Sequence, residues 1–575
     1  MVRIMKYLHL LFITFFLLVA SLEAQVISGN VSDLLTTRNM HSVMVEITNV
    51  SSEIKDTLYT DPLGNWSYQI TSVENVQLPK LFNVDQNYPN PFNPSTNISF
   101  SINESEKVTI IIHDILGRVV DRKEYTLQKG SYKIKYEGVG SAGIYFYTIR
   151  TLKKSITKKM IQLDGSSGVG LTNLHSIAFR STSNLPKVND TEIRIVFSKF
   201  AYVNDTLNVY INGGENFATT LEPFHFNATL VDLHNDILER IFMEDPNYNI
   251  GEYNTKFETD IPRLKLGGVD LQFFAAWVSP SAYAGRYFST TVDMIQKLNY
   301  EAVLNANDFS RTNNYESSMS AINQNKIAAV IGVEGGHSIE NSMDKLVQLY
   351  DMGMRYLTIT WNNSTDWAIS AAHDSTSTIG LSEFGRDVIR KMDSLGIIID
   401  VSHTGIKTIS DILEVTQNPI MATHSGVRAI KNHSRNLYDN QIQSIANSGG
   451  VIGIVFYPPF IGDADGDGDS DIDDVIAHID YIVNLVGIEH VALGSDFDGT
   501  GGYLVEGLSD VTKFPDLTLA LLNHGYSQAE VRKILGDNFL RIFKQVCNWR
   551  KSVLFANCRS AKYYLLDFVK LLIRP

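Results

Sequence analysis

The stretch Leu230-Val231-Asp232-Leu233-His234-Asn235-Asp236 closes an apolar run with a histidine and an aspartate one position apart. Three later stretches repeat the plan: Ala329-Val330-Ile331-Gly332-Val333-Glu334, Ile397-Ile398-Ile399-Asp400-Val401-Ser402-His403 and Pro419-Ile420-Met421-Ala422-Thr423-His424. Apolar runs of this length read as buried β-strands. When helices separate them the sheet is parallel, with its functional groups at the carboxyl ends. Histidines, a His-x-Asp pair and a glutamate collected there make a donor set for two divalent metals, which points to a hydrolase.

Working outward, a strand-then-helix rhythm runs from Leu230 onward. Candidate strands are Leu230–His234, Asp270–Val278, Ala328–Glu334, Arg355–Thr360, Ile397–Ser402, Pro419–Thr423, Val451–Tyr457 and His490–Ser495. Amphipathic segments fall between them, such as Leu381–Leu395 with Phe384, Val388, Ile389 and Met392 on one face. Eight such units predict a (β/α)8 TIM barrel, an α/β fold whose chemistry sits on the loops after the strands. The competing architecture is a doubly wound open sheet, but no glycine-rich nucleotide turn follows the first strand.

In an extended stretch His234 and Asp236 point the same way, so one metal can take both. Glu334 precedes Gly335-Gly336, and its two carboxylate oxygens could bridge two metals. His403 and His424 end neighbouring strands and could share the second. Asp496, in Gly494-Ser495-Asp496-Phe497-Asp498-Gly499, ends the eighth strand, which in a closed barrel lies beside the first. A carboxylate there suits general acid–base work on a metal-activated water. Asp498 reads instead as a loop cap before Gly499.

These motifs, with Glu334-Gly335-Gly336-His337, Asp400-Val401-Ser402-His403 and His433-Ser434-Arg435-Asn436, resemble the renal (membrane) dipeptidase family of zinc peptidases over roughly residues 228–546. The resemblance implies two zinc ions, with His234 and Asp236 on one, His403 and His424 on the other, and Glu334 bridging. It implies that Asp496 does the acid–base step and that Arg435 clamps the free carboxylate of a small dipeptide, a task suited to a planar guanidinium fork. The implied reaction is hydrolysis of a dipeptide amide through a metal-bridging hydroxide, with a D-residue at the C-terminal side left open. One position departs. Where the animal enzymes place a substrate-contacting histidine, this chain has Trp361, which donates one hydrogen bond and carries no charge. His337 is read as structural. Two other readings stay open: an amidohydrolase for another small amide or lactam, and a catalytically weak surface-display protein.

The front of the chain is all-β in character, with short alternating runs and turn signals such as Asp61-Pro62-Leu63-Gly64-Asn65. Val26–Ile70 and the phrase Ser198-Lys199-Phe200-Ala201-Tyr202 resemble carboxypeptidase-regulatory-like β-sandwiches. Asn87-Tyr88-Pro89-Asn90-Pro91-Phe92-Asn93-Pro94 and the strands after it resemble the Ig-like domain of type IX sorting segments and hook-capping proteins. The expected organisation is a signal peptide at 1–24, a split sandwich at 25–78 and 165–222, a sorting-segment-like domain at 79–164, the barrel at 223–548, and a tail at 549–575 without assigned role. Sorting segments normally close a chain, so this internal copy is expected to act as a spacer or attachment module meeting the cell surface or secretion machinery.

Arg3 and Lys6 ahead of the apolar stretch Leu8–Ala20 read as a secretory signal, so the protein is expected to be exported: periplasmic, surface-bound or secreted from a bacterium. A length of 575 residues demands several cores. The net charge of −14 argues against a nucleic-acid partner, and a homo-oligomer is compatible with the sequence. Only Cys547 and Cys558 occur, allowing at most one late bridge. Asp463, Asp465, Asp467, Asp469 and Asp474 follow the spacing of a dockerin or EF-hand-like calcium loop, with aspartate where a bidentate glutamate is usual. The competing reading is an acidic cap on the helix Val475–Leu485.

Overall fold

The computed structural model describes residues 25–547 apart from positions 52, 71–81, 103, 116, 152, 178–190, 212–213 and 375–377. The expected signal peptide, the tail and Cys558 lie outside the described residues. The chain divides into two compact units. One gathers Thr37–Ser198 with the segments up to Ser32 and Asn204–Thr220. The other gathers Leu221 onward with Asp33–Thr36 and Lys199–Val203.

The second unit holds a closed parallel barrel. Its strands are Leu230–Asp232, Val269–Trp277, Ile327–Glu334, Met354–Thr358, Ile398–Asp400, Ile420–Ser425, Val451–Ile454 and Val491–Leu493. Each pairs in parallel with the next, and Asp232 pairs with Leu493 to close the ring, which excludes an open sheet. A short strand not foreseen from sequence, Phe309–Arg311, adds outside the ring onto Ile327–Ala329 and brings no site residue.

Alternation along each strand sorts side chains to two cores. Inside the ring, Val231, Phe273, Val330, Tyr356, Ile398 and Met421 join Phe539 and Phe543 of the last helix, Asn538–Val546. Outside, Leu230, Phe274, Ile331, Leu357, Ile399 and Ile420 pack against the helices. The helix expected at Leu381–Leu395 runs Glu383–Leu395, capped by the Ser382 hydroxyl and closed by Gly396 at φ 77°. Val388, Ile389 and Met392 are buried on its inner face.

Several strands stop short of their expected ends. The first ends at Asp232 rather than His234, and the fifth at Asp400 rather than Ser402. The ladder breaks where the chain turns side chains toward the barrel's carboxyl rim: His403 and Asp496 adopt φ of 63° and 62°, a left-handed conformation that costs a non-glycine residue of order 1 kcal/mol.

The strands of the first unit pair antiparallel, with one isolated parallel bridge between Phe92 and Gln162. Asn216–Leu221, Gln25–Asp33 and Asn65–Ile70 form one sheet, and Asp205–Ile211, Thr191–Ser198, Met44–Asn49 and Lys55–Tyr59 another, so strands from the two ends of the unit interleave. Between them in sequence, two four-stranded sheets enclose Phe92, Ile98, Phe100, Ile110, Ile134 and Tyr147. Ser166–Ile177 pairs with Gly130–Gly140 in these inserted sheets, beyond the expected boundary at 164.

Candidate active site

Glu334 stands at the centre of the barrel's carboxyl end. Its Oε2 lies 3.6 Å from His234 Nε2, which is itself 3.4 Å from Asp236 Oδ2. Its Oε1 lies 2.9 Å from His403 Nε2 and 3.6 Å from His424 Nε2, and those two nitrogens are 3.1 Å apart. All five residues are buried. The sequence-derived ligand candidates therefore converge as two triads sharing one carboxylate. Donors bound tetrahedrally at about 2.0–2.1 Å from a zinc-sized ion are separated by roughly 3.3 Å, close to these spacings.

The ring orientations fit a cation better than they fit hydrogen bonding. Asn362 Oδ1, an acceptor only, lies 2.8 Å from His403 Nδ1 and fixes the proton there. Thr423 Oγ1 donates to Asp400 Oδ2 at 2.8 Å, so it accepts from His424 Nδ1 at 2.9 Å. Both Nε2 atoms are thereby left as bare lone pairs facing each other and Glu334, an arrangement that needs positive charge between them. His234 Nδ1 meets the Tyr356 hydroxyl at 2.9 Å, and its buried Nε2 and Asp236 Oδ1 lack hydrogen-bond partners.

Electrostatics agree. Burial, followed by the neighbouring charges of His234 and Arg435, drives His424 well below the ordinary histidine range, and burial with Arg435 takes His403 down to about 3, so both rings are neutral donors. Burial would also lower His234, but Asp236 and Glu334 outweigh it and hold its pKa well up. Burial would raise Glu334, yet His234 and His403 keep it well below the carboxylate range. The carboxylates thus demand a cation at this spot, and the donor set of imidazole and carboxylate suits zinc or a similar divalent ion.

Three residues missed by sequence reasoning hold this geometry. Asp400 accepts from Thr358 Oγ1, Thr423 Oγ1 and the Ser402 and Thr423 amides, tying three strands together. Tyr356 reaches His234 because Gly332 has no side chain: a Cβ there would sit 1.9 Å from the Tyr356 ring. Asp232 plays the corresponding part for the first strand, accepting from the Ser495 amide and hydroxyl and from Gln272 Nε2. The available signal was a carboxylate two or three residues ahead of a strand-ending histidine.

Asp496 Oδ1 lies 4.0 Å from His234 Nε2. Burial and the Asp236 charge push its carboxyl well up. Gly499 lets the two aspartates approach, since a Cβ there would sit 2.2 Å from Asp236 Oδ2 and 2.4 Å from Asp496 Oδ1. Asp498 is buried and caps a distant loop, accepting from the Glu258 amide at 2.8 Å. Arg435 is buried beside a cavity of about 210 Å³ that also reaches His403. Its Nη2 donates to the His424 carbonyl at 3.4 Å, while Nε and Nη1 have no hydrogen-bond partner among the described residues. The Trp361 ring packs at 5.0 Å against Trp277, tilted by 51°, and lies 6.1 Å from the His403 ring. His337 is buried and donates from Nε2 to the Val278 carbonyl at 2.9 Å.

The five acids of the 463–474 loop do not converge on one point. Asp463, Asp465 and Asp474 draw together, while Asp467 and Asp469 turn to Asp471. Several are occupied by backbone amides: Asp463 accepts from Gly466 and Gly468, and Asp471 caps the helix Ile472–Val486.

A closed parallel barrel with a buried cluster of imidazoles and carboxylates at the carboxyl ends of its strands defines a metallohydrolase of the TIM-barrel class. Residues 220–554 match the membrane dipeptidase family, peptidase family M19, and residues 86–162 match the secretion system C-terminal sorting domain. An uncharacterized dipeptidase of Schizosaccharomyces pombe is 33% identical over 359 residues, 58% of this chain and 86% of the relative. The dipeptidase AC, a metallopeptidase of family M19, superposes with a TM-score of 0.52 at 26% identity, covering 56% of this chain and 98% of its own. A metallopeptidase from Rhodobacter sphaeroides, solved with a phosphinate mimic of the dipeptide L-Ala-D-Ala, gives 0.52 and 26%, covering 56% and 99%. The chain belongs to the membrane dipeptidase family and is a metallodipeptidase. It also carries an internal sorting-type module that points to export, and no helix among the described residues is long and apolar enough to cross a membrane.

Proposed function

We propose that the protein is an exported dizinc dipeptidase that cleaves dipeptides with a free C-terminal carboxylate, D-residues at that end included. The carrying observation is Glu334, whose two oxygens face separate histidine sets at 2.9 and 3.6 Å. His234 and Asp236 would hold one ion, His403 and His424 the other, and Glu334 both. Two such ions supply an activated water and Lewis-acid polarisation of the scissile carbonyl.

The chain's own residues do the rest. Asp496, 4.0 Å from His234 Nε2, would take a proton from the attacking water at its carboxylate and return it to the leaving nitrogen. Arg435 offers its unpartnered Nε and Nη1 to the terminal carboxylate, and a guanidinium that must meet that carboxylate favours short substrates. Trp361 packs on Trp277 and lies near the His403 ring, so it would meet substrate through an uncharged ring where a histidine could use charge. The L-Ala-D-Ala mimic bound by the Rhodobacter sphaeroides metallopeptidase supports a D-residue at the C-terminal side. The β-sheets of the first unit serve as the spacer or attachment module of the exported enzyme.

The test is metal analysis of the purified full chain together with turnover of L,L and L,D dipeptides. Two zinc ions per chain, and activity lost to chelators and restored by zinc, are expected. Activity in metal-free protein would overturn the reading.

A further inference from the structure

We infer that the loop after the sixth barrel strand selects dipeptides whose C-terminal residue has an acidic side chain, with Arg428 as the specificity-determining residue. This rests on the carboxylate role proposed for Arg435 and extends it from the substrate's main chain to its side chain.

The cavity of about 210 Å³ beside His403 is lined by both Arg428 and Arg435, together with Asp374, Tyr438 and Gln441. It is smaller than the roughly 300 Å³ at which ordinary ligand pockets begin, a space for one amino-acid residue. Two guanidinium groups face one carboxylate there. Asp374 Oδ2 accepts from the Ile406 amide at 2.6 Å, and among the described residues no ion pair joins that carboxylate to either arginine. A substrate α-carboxylate held by Arg435 therefore leaves the Arg428 guanidinium open to a second anion.

Arg428 is held in position for a second anion. Its backbone amide donates to the Leu437 carbonyl at 2.9 Å, and Val427 and Leu437 form a parallel bridge, so Arg428 and Arg435 ride on one loop pinned to itself. Its guanidinium lies 4.3 Å over the Tyr438 ring, and Nε donates to Asn432 Oδ1 at 3.1 Å. Among the described residues no acceptor takes its terminal nitrogens. A half-buried, stacked guanidinium with free terminal N–H groups recognises a carboxylate by charge-assisted paired hydrogen bonds.

Neutral isosteres isolate the charge. The full, zinc-loaded chain is assayed on Ala-Asp and Ala-Glu against Ala-Asn and Ala-Gln, each as L,L and L,D forms, in wild type and Arg428→Gln. We expect wild type to favour the acids by at least about tenfold in kcat/KM. Arg428→Gln should bring that ratio close to one through a rise in KM for the acids, with metal content unchanged. Equal use of acids and amides by wild type, or an equal loss on both in the variant, would overturn the charge selection alone. Failure of wild type to cleave any dipeptide would overturn the dipeptidase reading with it.

Discussion

Two regions of the barrel unit are crowded with carboxylates, and they behave oppositely. At the strand ends, Asp236, Glu334 and Asp496 are buried with imidazoles, and several of their neighbours' polar atoms lack partners. In the 463–474 loop, the acids through Asp469 are exposed, and backbone amides from Gly466, Asp467, Gly468 and Asp469 take up their oxygens. Acid count alone does not make a metal centre. What distinguishes the first cluster is that burial removes water as an alternative partner and the framework withholds hydrogen bonds, so only a cation satisfies it. The loop has both alternatives.

The most damaging way to probe this contrast is Glu334→Gln, which removes the charge both triads share. kcat/KM on dipeptides should fall by more than about 10⁴, with bound zinc reduced below two per chain by elemental analysis. Asp496→Asn should lower kcat by about 10²–10⁴ and leave the zinc count unchanged, since acid–base transfer is the function removed; steady-state kinetics beside metal analysis separates the two outcomes.

The two regions meet at His478, on the helix that Asp471 caps: its Nδ1 accepts from the Val427 amide at 2.8 Å and its Nε2 donates to the Ile461 carbonyl at 3.0 Å. Burial, partly opposed by the Ile461 carbonyl and Asp474, lowers its pKa from 6.5 to about 4. The unfolded chain therefore takes up a proton first as pH drops. Stability is full above about pH 6.5 and declines toward pH 4, by up to about 3 kcal/mol from this group. Thermal melts of wild type and His478→Gln at pH 7.5 and 5 should show a shallower loss in the variant, and parallel losses would remove His478 as a cause.

Smaller effects follow from supporting groups. Tyr356→Phe frees the His234 ring and should weaken zinc by about 10–100-fold in a chelator competition. Asp471→Ala should cost about 1 kcal/mol through the lost helix cap, read by denaturant titration, with dipeptide turnover unchanged. Calcium calorimetry on the loop should give binding no tighter than about millimolar. Micromolar binding lost in Asp465→Asn would erase the contrast between the two clusters.

The barrel and its five convergent side chains were legible because each ended an apolar run, so strand order alone brought them to one rim. Strand ends were less legible, since the break in the ladder at Asp232 and Asp400 is set by residues turning inward, which no propensity records. Tyr356 escaped notice because its contact with His234 spans 122 residues and depends on a missing side chain at Gly332. Asp400 stood in view within a quoted motif, but its four acceptor bonds appear only when three strands lie side by side. The acidic loop shows the reverse: its spacing carried a resemblance that the folded backbone divides in two.

The Arg435 guanidinium donates to the carbonyl of His424 itself. In the proposed enzyme the group that reads the end of the substrate and a group that holds its metal are thus coupled within eleven residues of continuous chain. A substitution that shifts one is therefore felt by the other through a single hydrogen bond.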